Sequence, residues 1–389
     1  MFRRSGGGWN GSGRENGTFI SDRMKAIQNI IKNRILSEED INSLLRVSGY
    51  DQHLLFEWSA QVKKAHVGNK VYFRGLIEFS NCCARDCLYC GIRKSNKSAQ
   101  RYNLSDVEII EAACFALDHQ YASIVIQSGE ICNRYFTRRI ERLLHKIHRK
   151  TNNMLRVTLS VGEHDKETYR RWFEAGAQRY LLRIETSNSN LYTRIHPNDG
   201  RHSFQKRLQA LLNLKDIGYQ TGTGVMIGLP FQTYEDLAAD ILFMRDINID
   251  MVGMGPYIGH SATPLWEHRH LLLTPDERFD LTLRMIAVLR LVRPEINIAA
   301  ATALQAIDKM GREKALKVGA NVIMPNITPG PYRNNYKLYD NKPCTDENAD
   351  DCTSCLTARI AMTGNETGLG EWGDSAFYRL RRVGEVGNI

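Results

Sequence analysis

A full (β/α)8 barrel of the TIM type is the fold class this chain predicts, from three observations. Eight short β-rich apolar runs follow one another from Val71, helical periods separate them, and the alternation spans roughly the 250 residues of such a barrel. An open doubly wound sheet fits less well, because no GxGxxG turn follows the first run and the count reaches eight.

The elements follow in order. Residues 1–21, rich in Gly, Ser and Asn, read as a disordered leader; Phe2, Arg3 and Arg4 resemble a piece of an organelle presequence, without its amphipathic helix. Residues 22–68 read as N-terminal helices, with apolar positions Met24, Ile27, Ile30 and Ile31, then Leu44, Leu45, Leu54 and Leu55. They are expected to cap the closed end of the barrel, which occupies 69–335. Its strands are expected at 71–78, 122–127, 155–161, 179–184, 222–227, 251–255, 297–303 and 320–324. Ser105 with Glu108 forms a capping box, Thr274-Pro275 opens a long helix, and Gly176, Gly218 and Gly319 stand where helices stop. Residues 336–389 form a C-terminal extension that contains three more cysteines.

With 42% hydrophobic and 24% charged residues among 389, the composition is that of a soluble globular protein, and no apolar run reaches the roughly 20 residues of a membrane helix. The net charge of +9 is dispersed in short groups such as Arg138-Arg139 and Arg170-Arg171, which favours solvated helix faces over nucleic-acid binding. Nine cysteines, clustered and odd in number, point to a reducing compartment and metal chemistry. The cytoplasm fits, or an anaerobic organelle such as a hydrogenosome in a eukaryotic cell.

The first apolar run ends in Cys83-x3-Cys87-x2-Cys90, reading CARDCLYC. Three thiolates at this spacing suit a 4Fe–4S cluster with one iron left open for a chelating ligand. A zinc knuckle is the alternative, but zinc generally takes four ligands and Ser80, Asn81 and Gly91 supply none. Polar groups also appear where the later runs stop: Gln127 to Glu130, Ser160 and Glu163, Arg183 to Thr186, Gly228 to Pro230, Thr302, and Pro325-Asn326. Together they describe one polar mouth at the C-terminal ends of the strands, where barrels of this class do their chemistry.

The cysteine spacing, with Tyr89 before the last cysteine, resembles the signature of radical S-adenosylmethionine (SAM) enzymes. Within them the chain resembles the HydE family of FeFe-hydrogenase maturases, in the biotin synthase-like group, from about residue 25 to 360. The carriers are IEFSNCCARDCLYCGIR (77–93), IVIQSGE (124–130), RYLLRIET (179–186), TGTGVMIGLP (221–230), DMVGMGP (250–256) and GANVIMPNITPGPYR (319–333). The resemblance implies that Cys83, Cys87 and Cys90 ligate a SAM-binding 4Fe–4S cluster, with Tyr89 by the adenine. It places Gly129 and Glu130 at the methionine moiety, Glu185 at the ribose or amino group, and Arg207 at the carboxylate. It further implies an organometallic substrate, an iron–cysteine complex carrying carbon monoxide and cyanide, with Arg183 and Thr302 holding its carboxylate and Tyr332 and Tyr336 as cavity residues. The implied partners are a reductase or ferredoxin as electron donor and companion maturases, with the enzyme itself a monomer. One departure is Ala301, where the family often has a second threonine before Thr302.

Cys344-x7-Cys352-x2-Cys355 follows the barrel in an acidic stretch. The family implies an accessory cluster there, 2Fe–2S or 4Fe–4S; zinc with an added carboxylate and empty thiols are the alternatives. Two other functions stay open at this point: a methylornithine synthase-like mutase acting on an amino acid, and a non-catalytic iron–sulfur or zinc protein.

Overall fold

The computed structural model describes residues 36–343 and 349–386, the side chains at 349–354 and 384–386 excepted. The leader expected at 1–21, the start of the helices expected at 22–68, and Cys344 lie outside the described residues.

The strands are β1 (Lys70–Phe73), β2 (Gly75–Ser80), β3 (Ser123–Ser128), β4 (Arg156–Ser160), β5 (Arg179–Leu181), β6 (Gln220–Thr223), β7 (Met226–Ile227), β8 (Met251–Val252), β9 (Gly255–Pro256), β10 (Asn297–Ile298), β11 (Val322–Ile323) and β12 (Glu366–Thr367). β2, β3, β4, β5, β6, β8 and β10 form one curled parallel sheet in that order. Each link between them carries at least one helix, the crossover that parallel strands require. The strands are buried on both faces: Ile77, Ile124, Ile126, Val157, Leu159 and Tyr180 on one side, and Leu76, Val125, Thr158 and Arg179 on the other, are all buried. Beyond β10, the Ala300 N–H donates to Val322 O at 2.9 Å, and on the other flank of β11 the Arg74 N–H donates to Ile323 O at 3.0 Å.

Local signals hold where they rest on capping chemistry. Ser105 and Glu108 cap each other's backbone, and Thr274 and Glu277 do the same at the start of Pro275–Val292. Gly218 ends its helix in the left-handed region at φ +103°. Strand lengths differ from expectation. The runs 222–227 and 251–255 each break into two short strands, because the Arg183 guanidinium takes the carbonyls of Gly253 and Val225 at the breaks. The run 297–303 yields only β10, since Thr302 opens the helix Thr302–Ile307.

The helices Glu38–Leu45 and Gly49–His66 do not close the end of the strands as expected. They lie on the outer helices: Asn42 donates to Glu235 at 2.8 Å, Arg284 to Val47 O at 2.8 Å, and Lys63 to Leu316 O at 2.8 Å. The N-terminal ends of the strands are instead met by residues 372–375. Asp374 pairs with Arg179 and accepts from Gln220 at 2.9 Å, and Gly373 O accepts from Asn297 at 2.9 Å and Arg74 at 3.3 Å. Arg156 lies 3.8 Å over the Trp372 ring. No described helix is long and apolar enough to cross a membrane.

Candidate functional site

The loop after β2 is held through backbone carbonyls, its own and that of Asn335. Arg101 donates to Asn81 O at 2.7 Å and Ile92 O at 2.8 Å, and Asn81 donates to Asn335 O at 2.6 Å. It is pressed against the end of β3, where the Ala84 N–H donates to Glu130 O at 2.8 Å. Gly129 permits that approach, for a Cβ there would stand 2.3 Å from Cys82 O and 2.8 Å from Cys83 Cβ.

The loop brings Cys83, Cys87 and Cys90 to one wall of a cavity of about 360 Å³. Cys83 Sγ accepts from the backbone N–H of Arg85 at 3.4 Å and of Glu130 at 3.3 Å. Burial pushes all three thiols up, Cys90 to about 12; Cys87 is raised further by Cys90 and Cys83, and Cys90 by Cys83, while backbone N–H groups ease the rise at Cys83. Three convergent sulfurs with N–H donors already on one of them fit the demands of a 4Fe–4S cluster, whose thiolate charge needs neighbouring sulfurs and hydrogen bonds.

The same cavity is lined by Tyr89, Gly129, Glu130, Arg183, Glu185, Arg207, Thr302 and Tyr336. Glu130 and Glu163 alternate with Arg85 and Arg207 in a closed ring of four charges. Arg207 lies 3.4 Å from Glu130 and 2.6 Å from Glu163, while Arg85 pairs with Glu130 and lies 3.1 Å from Glu163. Burial alone would lower both guanidiniums, but the two carboxylates hold them above their usual range. Burial also pushes the Glu163 carboxyl up against the pull of Arg207.

Glu185 sits at φ +68°, a left-handed conformation that costs a non-glycine residue about 1 kcal/mol. Arg183 holds it there, donating to its carboxylate at 2.9–3.1 Å as well as to the two strand-break carbonyls. Tyr89 is half-buried, with its ring edge-on to His196 at 5.4 Å and its hydroxyl 3.4 Å from His196 Nε2. Tyr336 accepts from Gln127 at 3.3 Å.

Tyr332 is the site residue expected from sequence that does not join the others. The turn at Pro329-Gly330 carries it outward, where its hydroxyl donates to Glu108 at 2.9 Å and its ring packs on Tyr102. In the second cysteine set, Cys344 and the Cys352 side chain fall outside the described residues, and Cys355 is exposed on the helix Ala349–Ala361.

Arg85 and His202, not expected at the site from sequence, complete the arrangement with Glu163, expected only as part of the polar mouth. Arg85 lies inside the cysteine motif but finds its partners 45 and 78 residues away. Glu163 is one of those partners. His202 closes the outer side of Cys87: its Nε2 accepts from the Asp86 N–H at 3.3 Å and stands 3.7 Å from Cys87 Sγ, while its Nδ1 faces Asp199 at 2.8 Å.

Comparison with known proteins agrees with this geometry. The model of the radical SAM superfamily matches residues 77–244. Over 346 residues the chain is 41% identical to the FeFe hydrogenase maturase subunit HydE of Thermotoga maritima, covering 88% of this chain and 95% of that protein. Among solved structures it resembles methylornithine synthase PylB, with a TM-score of 0.73 at 22% identity over 88% of this chain and 97% of that one. It also resembles HydG from Carboxydothermus hydrogenoformans, with a TM-score of 0.75 at 17% identity over 92% of this chain and 82% of that one.

Proposed function

Because the chain belongs to the HydE family of radical SAM enzymes, we propose that Cys83, Cys87 and Cys90 hold a 4Fe–4S cluster whose open iron takes SAM, in the service of FeFe-hydrogenase maturation. Bound together, cluster and SAM supply an electron and the 5′-deoxyadenosyl radical. The chain's own part is to position ligands and exclude water. Arg207 and Arg85 offer guanidiniums to the SAM carboxylate, displacing their bonds to Glu130 and Glu163. Glu130 and Glu185 then accept from the ammonium and the ribose hydroxyls. Tyr89 and Gly129 give the close, dry wall beside the sulfurs.

The substrate side of the same reading is an iron–cysteine complex with carbon monoxide and cyanide. Thr302 and Tyr336 face it, and Arg183 serves it partly through the carboxylate of Glu185. The backbone bonds that β11 makes on both flanks support a closed barrel over 69–335, with 336–389 as an extension bearing an accessory cluster on Cys344, Cys352 and Cys355. A reductase or ferredoxin donor and companion maturases are the partners of a monomer acting in the cytoplasm or a hydrogenosome.

The observation that carries the proposal is the meeting of three half-buried cysteines and the four-charge ring on one cavity. The test supplies the reconstituted enzyme with SAM, reductant and the synthetic iron–cysteine complex. Formation of 5′-deoxyadenosine with consumption of the complex is expected. Isomerisation of an amino acid with the complex untouched would replace this reading with the mutase.

A further inference from the structure

The helix Arg134–Lys150 carries a pattern that the site does not use. Its inner face is Phe136, Ile140, Leu143, Leu144 and Ile147. Its outer face exposes Arg134, Arg138, Arg142, Lys146, Arg149 and Lys150. Of these only Lys146 has an ion-pair partner among the described residues, Asp106 at 3.2 Å. The helix has a single carboxylate, Glu141, and Arg171 takes it at 3.5 Å. Steps of four place Arg134, Arg138, Arg142 and Lys146 in one row, and like charges so placed repel one another. A solvated face would ordinarily mix signs along such a row.

The row also starts at the site. The helix is capped by Asn133, three residues beyond Glu130, whose backbone N–H bonds Cys83 Sγ. On its inner side Arg139 donates to Asn103 at 2.8 Å and to Leu104 O, fixing the first turns against the chain that closes the cysteine loop. Lys94 and Lys97 stand exposed on that loop, and Tyr135 is 72% exposed at the start of the helix.

We propose that this face docks a small acidic one-electron carrier of the iron–sulfur class, which hands its electron to the cysteine loop. The inference rests on the cluster reading above. In the transfer the carrier's reduced centre loses one electron and the enzyme's cluster gains it; no bond forms or breaks. A single cationic row about 18 Å long, set against a redox site, matches the acidic rim of such a carrier and steers its approach. A nucleic acid would meet the same charges without needing the cluster beside them.

The test uses the full chain with its cluster reconstituted anaerobically, and an acidic 2Fe–2S ferredoxin as the probe. Calorimetric titration compares the wild type with the triple variant Arg138→Glu, Arg142→Glu, Arg149→Glu, and with the milder triple replacement of the same residues by Gln. The wild type is expected to bind, with affinity falling as salt rises from about 20 to about 300 mM. The Glu variant should bind roughly tenfold or more weakly, and the Gln variant should fall between. Cleavage of SAM driven by the reduced ferredoxin should drop in parallel, while cleavage driven by dithionite stays unchanged. No wild-type binding at low salt, equal binding by the variants, or tighter binding of a single-stranded oligonucleotide than of ferredoxin would overturn the proposal. Failure of the wild type to cleave SAM even with dithionite would strike the cluster reading instead, and the binding titration would still decide the docking surface.

Discussion

At the C-terminal ends of the strands, Arg85 and Arg207 face Glu130 and Glu163 beside a cavity of about 360 Å³. At the N-terminal ends, Arg74 and Arg179 face Asp374, and residues 372–375 of the same chain take up the space. Both ends bury arginine against carboxylate. At the lower end the remaining donors go to backbone carbonyls, the Ser123 hydroxyl and a methionine sulfur, groups fixed in the fold itself. At the upper end Arg85 and Arg207 meet Glu130 and Glu163, with Arg85 donating also to the Arg201 carbonyl, so a zwitterionic ligand can substitute its own carboxylate and ammonium in the four-charge ring. The contrast teaches that buried charge alone does not mark a site; the exchangeability of its partners does.

The lower end should break hardest. Burial alone would raise the Asp374 carboxyl, and Arg179 pulls it below its usual range. Asp374→Ala leaves Arg179 buried without its anion, and a loss of about 3 kcal/mol or more in stability is expected, read as a lower Tm of the chain. SAM affinity per folded molecule should stay unchanged; a specific loss of SAM binding would erase the distinction between the two ends.

At the upper end, Arg207→Gln should weaken SAM binding to the reconstituted enzyme by roughly 10–100-fold, the effect of removing a charged hydrogen-bond donor. Its Tm should fall by less than that of Asp374→Ala. An unchanged dissociation constant in equilibrium dialysis would remove Arg207 from the site.

A smaller effect separates the upper loop from its support. Asp240 accepts from the Ser187 N–H at 2.5 Å and from its hydroxyl at 2.6 Å, two residues beyond Glu185, and burial pushes its carboxyl up to about 7. The folded chain therefore holds a proton that the unfolded chain releases near pH 4. The stability this contributes is present below about pH 4 and lost progressively as pH rises to 7. Asp240→Asn should remove that slope, so that wild type loses Tm relative to the variant between pH 5 and 7. Parallel Tm curves would show that Asp240 is ionised throughout. The smallest effect belongs to Tyr332→Phe, expected to leave both SAM affinity and cleavage unchanged, since its hydroxyl meets Glu108 and not the cavity.

Much of the upper end is legible in the sequence because its signals are local. The cysteine spacing and the polar residues at the stops of apolar runs need only a few neighbouring positions, and they bring Glu130 and Glu185 to one cavity; Arg207, in the first turn of the helix Phe204–Ile217, is reached only through the family resemblance. Arg85 escapes because its role is set by Glu130 and Glu163, which are distant in the chain. Tyr332 misleads because its direction depends on a four-residue helix after Pro329. The run through Ala299 to Ala303 reads equally as strand or helix, and Thr302 resolves it by starting a helix. The lower end is nearly silent: GLGEWGDS looks like a loop, and only its contacts with Arg74, Arg179 and Gln220 make it a closure.

The central claim is that the upper end differs from the lower because Cys83, Cys87 and Cys90 make it a radical-generating site. Anaerobic reconstitution of wild type and Cys87→Ala, followed by dithionite and SAM, tests it directly. The wild type should release 5′-deoxyadenosine and methionine, and the variant none, with the two melting alike before iron is added. Equal cleavage by the variant would contradict the account.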